Sequence, residues 1–275
     1  KDGIKIRHDN TISYFQEIFN LMRKIDLGEN KIIVLIDEFA QAVENILQDE
    51  GEGASIHFLQ SNREIRLEPI ISTKLQFVYA GSIGLENIVN KINAINTIDD
   101  LAPIKVPPLS ETEAENFSNK IIGPSITFDN EAFNYLLNKI KWWIPYSFQI
   151  ILDEAKKNLL EENKELITKE TIDKSISEVL EQRIYFELWF TRLRKAYKGE
   201  EFSFIKELLN ITSEKHRITS SEIYNLAVKF KLDSTYNNLV NTLKYDGYIN
   251  NNNDPKIYRF NSPLLREWWY RNVAN

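Results

Sequence analysis

Two uninterrupted apolar segments stand out against the polar background of the first hundred residues. Residues 32–36 are five consecutive aliphatic side chains, and residues 75–80 form a second short, mostly apolar run that ends at Gly81. Short β-branched runs without polar alternation predict strands that are buried on both faces, as in a parallel sheet. The same reading gives helices at 11–26, 39–48, 55–68 and 84–95 and a third strand at 104–106. The segment up to residue 108 is therefore predicted to be an α/β layer with parallel strands.

The pattern becomes purely helical after residue 108. Helices are predicted at 110–122, 129–141, 145–162 and 168–193, and none of these segments shows strand alternation. Ser110 with Glu113 has the spacing of a capping box, and Thr168 with Thr171 opens the last of these helices. We therefore expect an all-helical domain at 109–196.

A third pattern follows Gly199. Helices are predicted at 201–210, 219–230 and 234–246, followed by two short strands around a polar turn at 250–255. Three helices closed by a hairpin are the arrangement of a winged helix-turn-helix domain. We assign this domain to 197–275. We expect the aromatic side chains of its last helix, Trp268, Trp269 and Tyr270, to pack into its core, and the alternative is an exposed surface for a partner.

Composition narrows the classes of function. The 275 residues are 43% apolar and 27% charged, as is usual for a globular protein, and they include no cysteine and only three scattered histidines. Disulfide frameworks, thiolate metal sites and histidine metal sites are therefore excluded. No apolar run approaches the about 20 residues that cross a bilayer, and no signal-peptide pattern is present, so we expect a cytoplasmic protein. The net charge of −6 divides into −11 for residues 1–182 and +5 for 183–275, and a mildly basic C-terminal part is compatible with a nucleic-acid partner.

The most informative motif is the carboxylate pair Asp37-Glu38, directly after the aliphatic run. Ligands bind at the carboxyl ends of the strands in an open α/β sheet. The motif resembles the Walker B motif of P-loop ATPases, which implies that Asp37 holds Mg²⁺ through its water shell and that Glu38 polarises the attacking water. The alternative is structural: Asp37 caps the following helix, and Glu38 lies favourably in its first turn.

Further segments resemble the archaeal-type, STAND-like branch of the AAA+ P-loop ATPases. Residues 106–122 resemble the entry into the helical lid of that branch, 142–152 resemble its Gly-x-Pro segment, and 259–269 resemble the close of its winged helix. The resemblance implies that Ser82, after the second strand, senses the γ-phosphate, and that Pro145 packs near the adenine or ribose. Trp143 stands where glycine is usual. The structural alternatives are a turn or N-cap role for Ser82 and a helix N1 role for Pro145.

Two expected parts of such an ATPase are missing from the sequence. Nothing matches G-x-x-x-x-G-K-[ST], so we expect the phosphate-binding loop to lie upstream of Lys1, in about 100 further N-terminal residues. Residues 84–104 contain no arginine that could act as an arginine finger, and Arg63 and Arg66 on the preceding helix are interpreted as residues of surface ion pairs. The lack of an arginine finger argues against a hexamer and favours a switch that opens and closes within one chain.

The predicted recognition helix presents residues that could contact DNA. Asparagine side chains pair with adenine in the major groove, and basic side chains bind phosphates. The candidate DNA-binding residues are Lys229, Asn237, Asn238, Asn241, Lys244 and Arg259. Because specific DNA readers usually carry more basic residues, an intramolecular or protein-contact role is the preferred interpretation.

Together these features predict the C-terminal portion of an ATP-binding and ATP-hydrolysing switch. ATP and Mg²⁺ are the expected cofactors, and the winged helix is expected to contact DNA or a protein partner. The present chain alone is expected to be inactive because it has no phosphate-binding loop. The alternative is a non-enzymatic DNA- or protein-binding module on a degenerate ATPase scaffold.

Overall fold

The computed structural model describes residues 14–81 and 84–274. The described chain is mostly helical and contains a few small sheets. It divides into two compact units, with the boundary between Pro103 and Ile104. None of the described helices has the length and apolar character needed to cross a membrane.

The first unit contains a pair of parallel strands among short helices. Its elements are α1 (Tyr14–Lys24), β1 (Ile32–Ile36), α2 (Phe39–Asp49), α3 (Glu52–Leu67), α4 (Pro69–Ser72), β2 (Leu75–Tyr79), α5 (Leu85–Lys91) and a 3-10 turn at Ile95–Thr97. In the pair, Ile32 lies opposite Leu75 and Ile36 lies opposite Tyr79. The two apolar runs therefore form the parallel strands that their pattern predicts.

Two small apolar clusters hold the first unit together. One cluster includes Phe39 and Val43 of α2 with Leu59 of α3 and Val89 of α5, all of them buried. In the other cluster, half-buried aromatic side chains of α1 pack on Ile71 and on residues of α3 and β2. The clusters leave much of β1 uncovered.

Two sequence predictions for this region are wrong. β1 is not buried on both faces, because Ile33 and Leu35 are 60% and 74% exposed. Residues 104–106 form no strand, and Ile104 and Val106 are 76% and 89% exposed. In both cases the apolar side chains have no packing layer within residues 14–81 and 84–274. An apolar pattern indicates that a segment is suited to burial. Whether the segment is buried depends on the elements that pack against it.

The second unit is a larger helical body with two small sheets. Its elements are α6 (Glu111–Ile122), β3 (Thr127–Phe128), α7 (Ala132–Ile140), α8 (Pro145–Glu162), β4 (Leu166–Ile167), α9 (Lys169–Glu181), a 3-10 turn at Arg183–Tyr185, α10 (Glu187–Ala196), α11 (Gly199–Lys215), β5 (Ile218–Thr219), α12 (Ser220–Lys229), α13 (Tyr236–Tyr245), β6 (Ile249–Asn250), β7 (Ile257–Phe260) and α14 (Pro263–Asn272). β3 and β4 are parallel, and β5, β7 and β6 form an antiparallel sheet in that order. The prediction that 109–196 is all helical is therefore wrong in detail, because β3 and β4 pair within this range; each strand has only two residues, too few to show strand alternation in the sequence.

The capping boxes form, but the predicted helix 168–193 is broken. Ser110 and Thr168 each cap their helix through the backbone N–H three residues ahead. α9 nevertheless ends at Glu181, because Gln182 leaves the helix and its Nε2 donates to Glu154 Oε2 at 2.9 Å. Phe186 then turns into the core against the ring of Trp268, with centroids 5.8 Å apart. Tertiary packing has overridden helical propensity here.

One continuous apolar core joins α6 to α14. Trp268 and Trp269 are completely buried in it, which confirms the prediction for these two side chains, whereas Tyr270 is 44% exposed and does not pack into the core. The helices of 109–196 and the elements of 197–274 therefore share their interior.

Candidate functional site

The Asp37-Glu38 pair forms the turn between β1 and α2. The backbone of Ala80, which follows β2, holds both sides of this turn. Its N–H donates to the Ile36 carbonyl at 2.8 Å, and its carbonyl accepts from the Phe39 N–H at 3.1 Å. The turn is therefore fixed against the carboxyl end of the neighbouring parallel strand, which is where ligands bind in open α/β sheets.

Glu38 has an unusual backbone conformation. Its φ of 52° and ψ of 30° lie in the left-handed region, which costs a residue with a side chain about 1–2 kcal/mol. The adjacent Phe39 is buried, and its ring centroid lies 4.2 Å from that of Tyr79. This aromatic contact anchors the start of α2 and so holds Glu38 in its strained conformation. Backbone strain of this kind concentrates at functional sites.

The structure contradicts the capping explanation for the pair. Glu38, and not Asp37, occupies the N-cap position of α2, and its side chain makes no capping hydrogen bond. Asp37 Oδ1 instead accepts from the Glu38 N–H at 2.9 Å, which orients the Asp37 carboxylate within the turn. Both side chains are exposed.

Gly81 brings the end of β2 close to Glu38. A methyl group built on Gly81 would lie 3.6 Å from Cα and 3.7 Å from Oε2 of Glu38. The carboxylate of Glu38 therefore lies beside Gly81, which follows Ala80. Ser82, the predicted sensor, lies outside the described residues. Sequence reasoning did not assign Ala80 or Gly81 to the site; their position after a buried strand was the available signal.

Asp37 is the side chain at this edge that could bind a magnesium ion. Within residues 14–81 and 84–274, no three His, Asp or Glu side chains group together as a metal site. Mg²⁺ usually keeps several waters and is bound by one or two carboxylates together with substrate phosphates. Asp37 could supply such a carboxylate, with phosphate oxygens and water as the remaining ligands.

An arginine network fixes the end of β2 next to this edge. Arg66 is only 6% exposed and binds both carboxylate oxygens of Asp100 at 2.8 Å. It also donates to the Thr97 carbonyl at 2.9 Å and to the Tyr79 hydroxyl at 3.4 Å. Hydrogen bonding by Arg66 is the main cause that lowers the pKa of Asp100, and burial raises the pKa of Tyr79. Arg66 is therefore an ion-pair residue, as predicted, but the pair is largely buried and does not lie at the surface.

Pro145 lies in the second unit, whereas Asp37 and Glu38 lie in the first. It is the first residue of α8 and is exposed. Trp143, which stands in place of the usual glycine, is half-buried, and its Nε1 donates to the Leu137 carbonyl at 3.1 Å. An N1 position suits proline in any helix, so this geometry is equally compatible with a structural role.

The predicted DNA-binding residues lie around α13 and the β6–β7 hairpin. Lys229 ends α12, Asn237, Asn238 and Asn241 are exposed on α13, Lys244 is half-buried in its last turn, and Arg259 is half-buried on β7. Acidic residues are interspersed among them, with Asp246 directly after α13 and Asp254 in the hairpin turn. The surface is therefore rich in amide groups and mixed in charge.

Comparison of the sequence with protein-family models and with curated proteins gives no match, so the candidate site is defined by its own residues.

Proposed function

We propose that this chain is part of an ATP-binding and ATP-hydrolysing switch of the STAND-like AAA+ class. The observation that carries the proposal is the position of the Asp37-Glu38 pair. The two carboxylates follow an aliphatic strand at the carboxyl end of a parallel pair, and Glu38 lies against Gly81 of the neighbouring strand's extension. This edge is where a nucleotide binds in open α/β sheets.

The two carboxylates have distinct proposed roles. Asp37 neutralises the phosphates through Mg²⁺ and its water shell, and Glu38 orients the water that attacks the γ-phosphate. Phosphoryl transfer depends mainly on positioning and on electrostatic stabilisation. The fixed turn supports these roles, since Ala80 holds it from both sides and Phe39 anchors it.

The uncovered faces of β1 support a larger sheet in the working protein. Among residues 14–81 and 84–274, no further strand pairs with β1 or β2. Parallel sheets are normally covered on both faces, and a two-stranded sheet is only marginally stable. Ile33 and Leu35 are nevertheless exposed, as are Ile18 and Leu21 of α1. We propose that additional strands cover this surface and that one of them carries the phosphate-binding loop.

The second unit is proposed to comprise the lid and the winged helix. The proposal of a winged helix is supported by the chain order of α11, α12 and α13 and by the small antiparallel sheet β5-β7-β6. In this proposal residues 109–196 form the lid over the nucleotide, Pro145 lies near the adenine or ribose, and 197–275 form the winged helix.

The decisive experiment measures ATP binding and turnover by the protein assembled with its phosphate-binding loop. Glu38→Gln removes the proposed base without changing the size of the side chain, so we expect ATP binding to persist and turnover to fall by about 100-fold or more. Glu50→Gln, at the exposed end of α2, is the matched control and should leave turnover unchanged.

Turnover at the wild-type rate in Glu38→Gln would refute the assigned role. If the wild-type protein neither binds nor hydrolyses ATP, the alternative gains support: a non-enzymatic module that binds DNA or a protein on a degenerate ATPase scaffold.

A further inference from the structure

A tight turn joins α7 to α8 in the second unit. The φ of Lys141 is 55°. Two backbone hydrogen bonds each join residues two positions apart: the Trp142 N–H donates to the Ile140 carbonyl at 2.6 Å, and the Ile144 N–H donates to the Trp142 carbonyl at 2.9 Å. A left-handed φ is costly for lysine, and consecutive short bonds leave the backbone little freedom. The segment 141–145, here called the tryptophan turn, is therefore rigid.

The tryptophan turn is hydrogen-bonded to the segment that enters the helical layer. The N–H of Leu109, which follows Pro107 and Pro108, donates to the Trp143 carbonyl at 2.8 Å. On the other side, Trp143 Nε1 donates to the Leu137 carbonyl in α7. A displacement of residues 107–109 must therefore move the tryptophan turn or break this backbone bond.

The other tryptophan of the turn contacts the end of α13. A methyl group built on Gly247 would lie 2.7 Å from Cη2 of Trp142, so the ring packs directly on the backbone of Gly247. Trp189 lies edge-on to Trp142 at 6.2 Å and to Tyr248 at 5.1 Å. Tyr248 is buried, and its hydroxyl donates to the Trp189 carbonyl at 2.8 Å. The contact between Trp142 and Gly247 is therefore next to the packed rings of Trp189 and Tyr248.

We propose that the tryptophan turn is a mechanical coupler between the Pro107–Leu109 segment and α13. The path runs from Leu109 through the backbone of Trp143 to the ring of Trp142, and from there to Gly247. Close-packed contacts transmit displacement because they cannot be compressed. The coupling exists without nucleotide; its use in reporting nucleotide state to the surface of α13 rests on the proposed function.

The first test asks whether Trp142 and Gly247 are energetically coupled. Hydrogen exchange of residues 236–249 in nucleotide-free protein reports local opening of α13 and β6. Gly247→Ala should accelerate this exchange about tenfold more than its backbone strain alone would, because the added methyl group overpacks against Trp142. Gly123→Ala is a control for a methyl group added at a positive φ in open space, since the φ of Gly123 is +79° and nothing lies within 4 Å of the added atom.

The double variant completes the cycle. In a Trp142→Ala background, Gly247→Ala should accelerate exchange of residues 236–249 about tenfold less than it does in the wild type, because the backbone strain remains and only the overpacking against Trp142 is lost. An equal effect of Gly247→Ala with and without Trp142 would overturn the proposal.

The second test asks whether residue 109 acts on α13. Leu109→Pro removes the N–H that binds Trp143, whereas Leu109→Ala removes side-chain packing and keeps this bond. Exchange of residues 236–249 should be faster in Leu109→Pro than in Leu109→Ala, and the difference should disappear when Trp142 is also replaced by alanine. Equal exchange in the two Leu109 variants would contradict the path. Because neither test involves nucleotide, their outcome is independent of ATPase activity.

Discussion

Removing the guanidinium of Arg66 should destabilise the first unit selectively. The side chain makes two short bonds to Asp100 and one to Thr97, and it lies 5.4 Å from the Tyr79 ring centroid. Breaking a buried ion pair by deleting one partner costs about 3–5 kcal/mol. Because the Asp100 side chain is still 16% exposed, we expect Arg66→Ala to cost about 3 kcal/mol, at the lower end of this range. This is a large share of the about 5–15 kcal/mol that stabilises a typical domain.

The distribution of tryptophan allows the two units to be followed separately. All five tryptophans lie in the second unit, so their fluorescence reports its unfolding, whereas far-ultraviolet circular dichroism reports helices in both units. In urea, Arg66→Ala should shift the circular dichroism transition and leave the fluorescence transition in place.

Arg63→Ala is the control on the same helix. The Arg63 side chain is 37% exposed, pairs with Asp99 at 2.8 Å and lies only 3.6 Å from Asp100, which keeps its two short bonds to Arg66. Its removal should therefore cost less than about 1 kcal/mol. Equal losses of stability in the Arg63 and Arg66 variants would refute the reasoning from burial.

The same ion pair gives the stability a pH dependence. The pKa of Asp100 is lowered in the folded protein, mainly by hydrogen bonding to Arg66. Its stabilisation is therefore complete above the unfolded pKa of about 3.9 and is lost as the pH falls through the folded value. In an acid titration, the stability advantage of the wild type over Arg66→Ala should shrink below about pH 4. A constant difference down to pH 2 would contradict this linkage.

Two further predictions concern the second unit. Trp269 Nε1 donates to Asn210 Oδ1 at 2.9 Å, whereas the buried Trp268 Nε1 has no hydrogen-bond partner among the described residues. Trp269→Phe should therefore reduce the free energy of unfolding by about 1–2 kcal/mol more than Trp268→Phe, as measured by thermal or urea unfolding. If the surface of α13 reads DNA, duplex mobility shifts should weaken with added salt and in Asn241→Ala and Lys244→Ala; the absence of any shift at low salt would remove the DNA hypothesis.

Local sequence signals located most elements of the fold. The aliphatic runs gave β1 and β2, and the capping pairs at Ser110 and Thr168 gave the starts of α6 and α9. These features depend on near neighbours in the chain. The break near Phe186 depends on a contact with Trp268, more than eighty residues away, so helical periodicity could not reveal it.

In the candidate site, too, some features follow from local sequence and others depend on distant contacts. The order of residues placed Asp37 and Glu38 after a strand, which the structure reproduces. The left-handed backbone of Glu38 and its approach to Gly81 result from the packing of Phe39 on Tyr79 and from the pairing of β1 with β2. The tertiary contacts that shape the turn are not encoded in any short motif.

The left-handed backbone at Glu38 also has a consequence for engineering. Glycine adopts this conformation without a steric penalty and is accepted at helix N-caps, so Glu38→Gly would relieve about 1 kcal/mol of strain. A selection for thermal tolerance alone would then tend to discard the carboxylate. Stability and activity would be opposed at this position, and variants gained from such a screen should be sequenced at codon 38 before they are used.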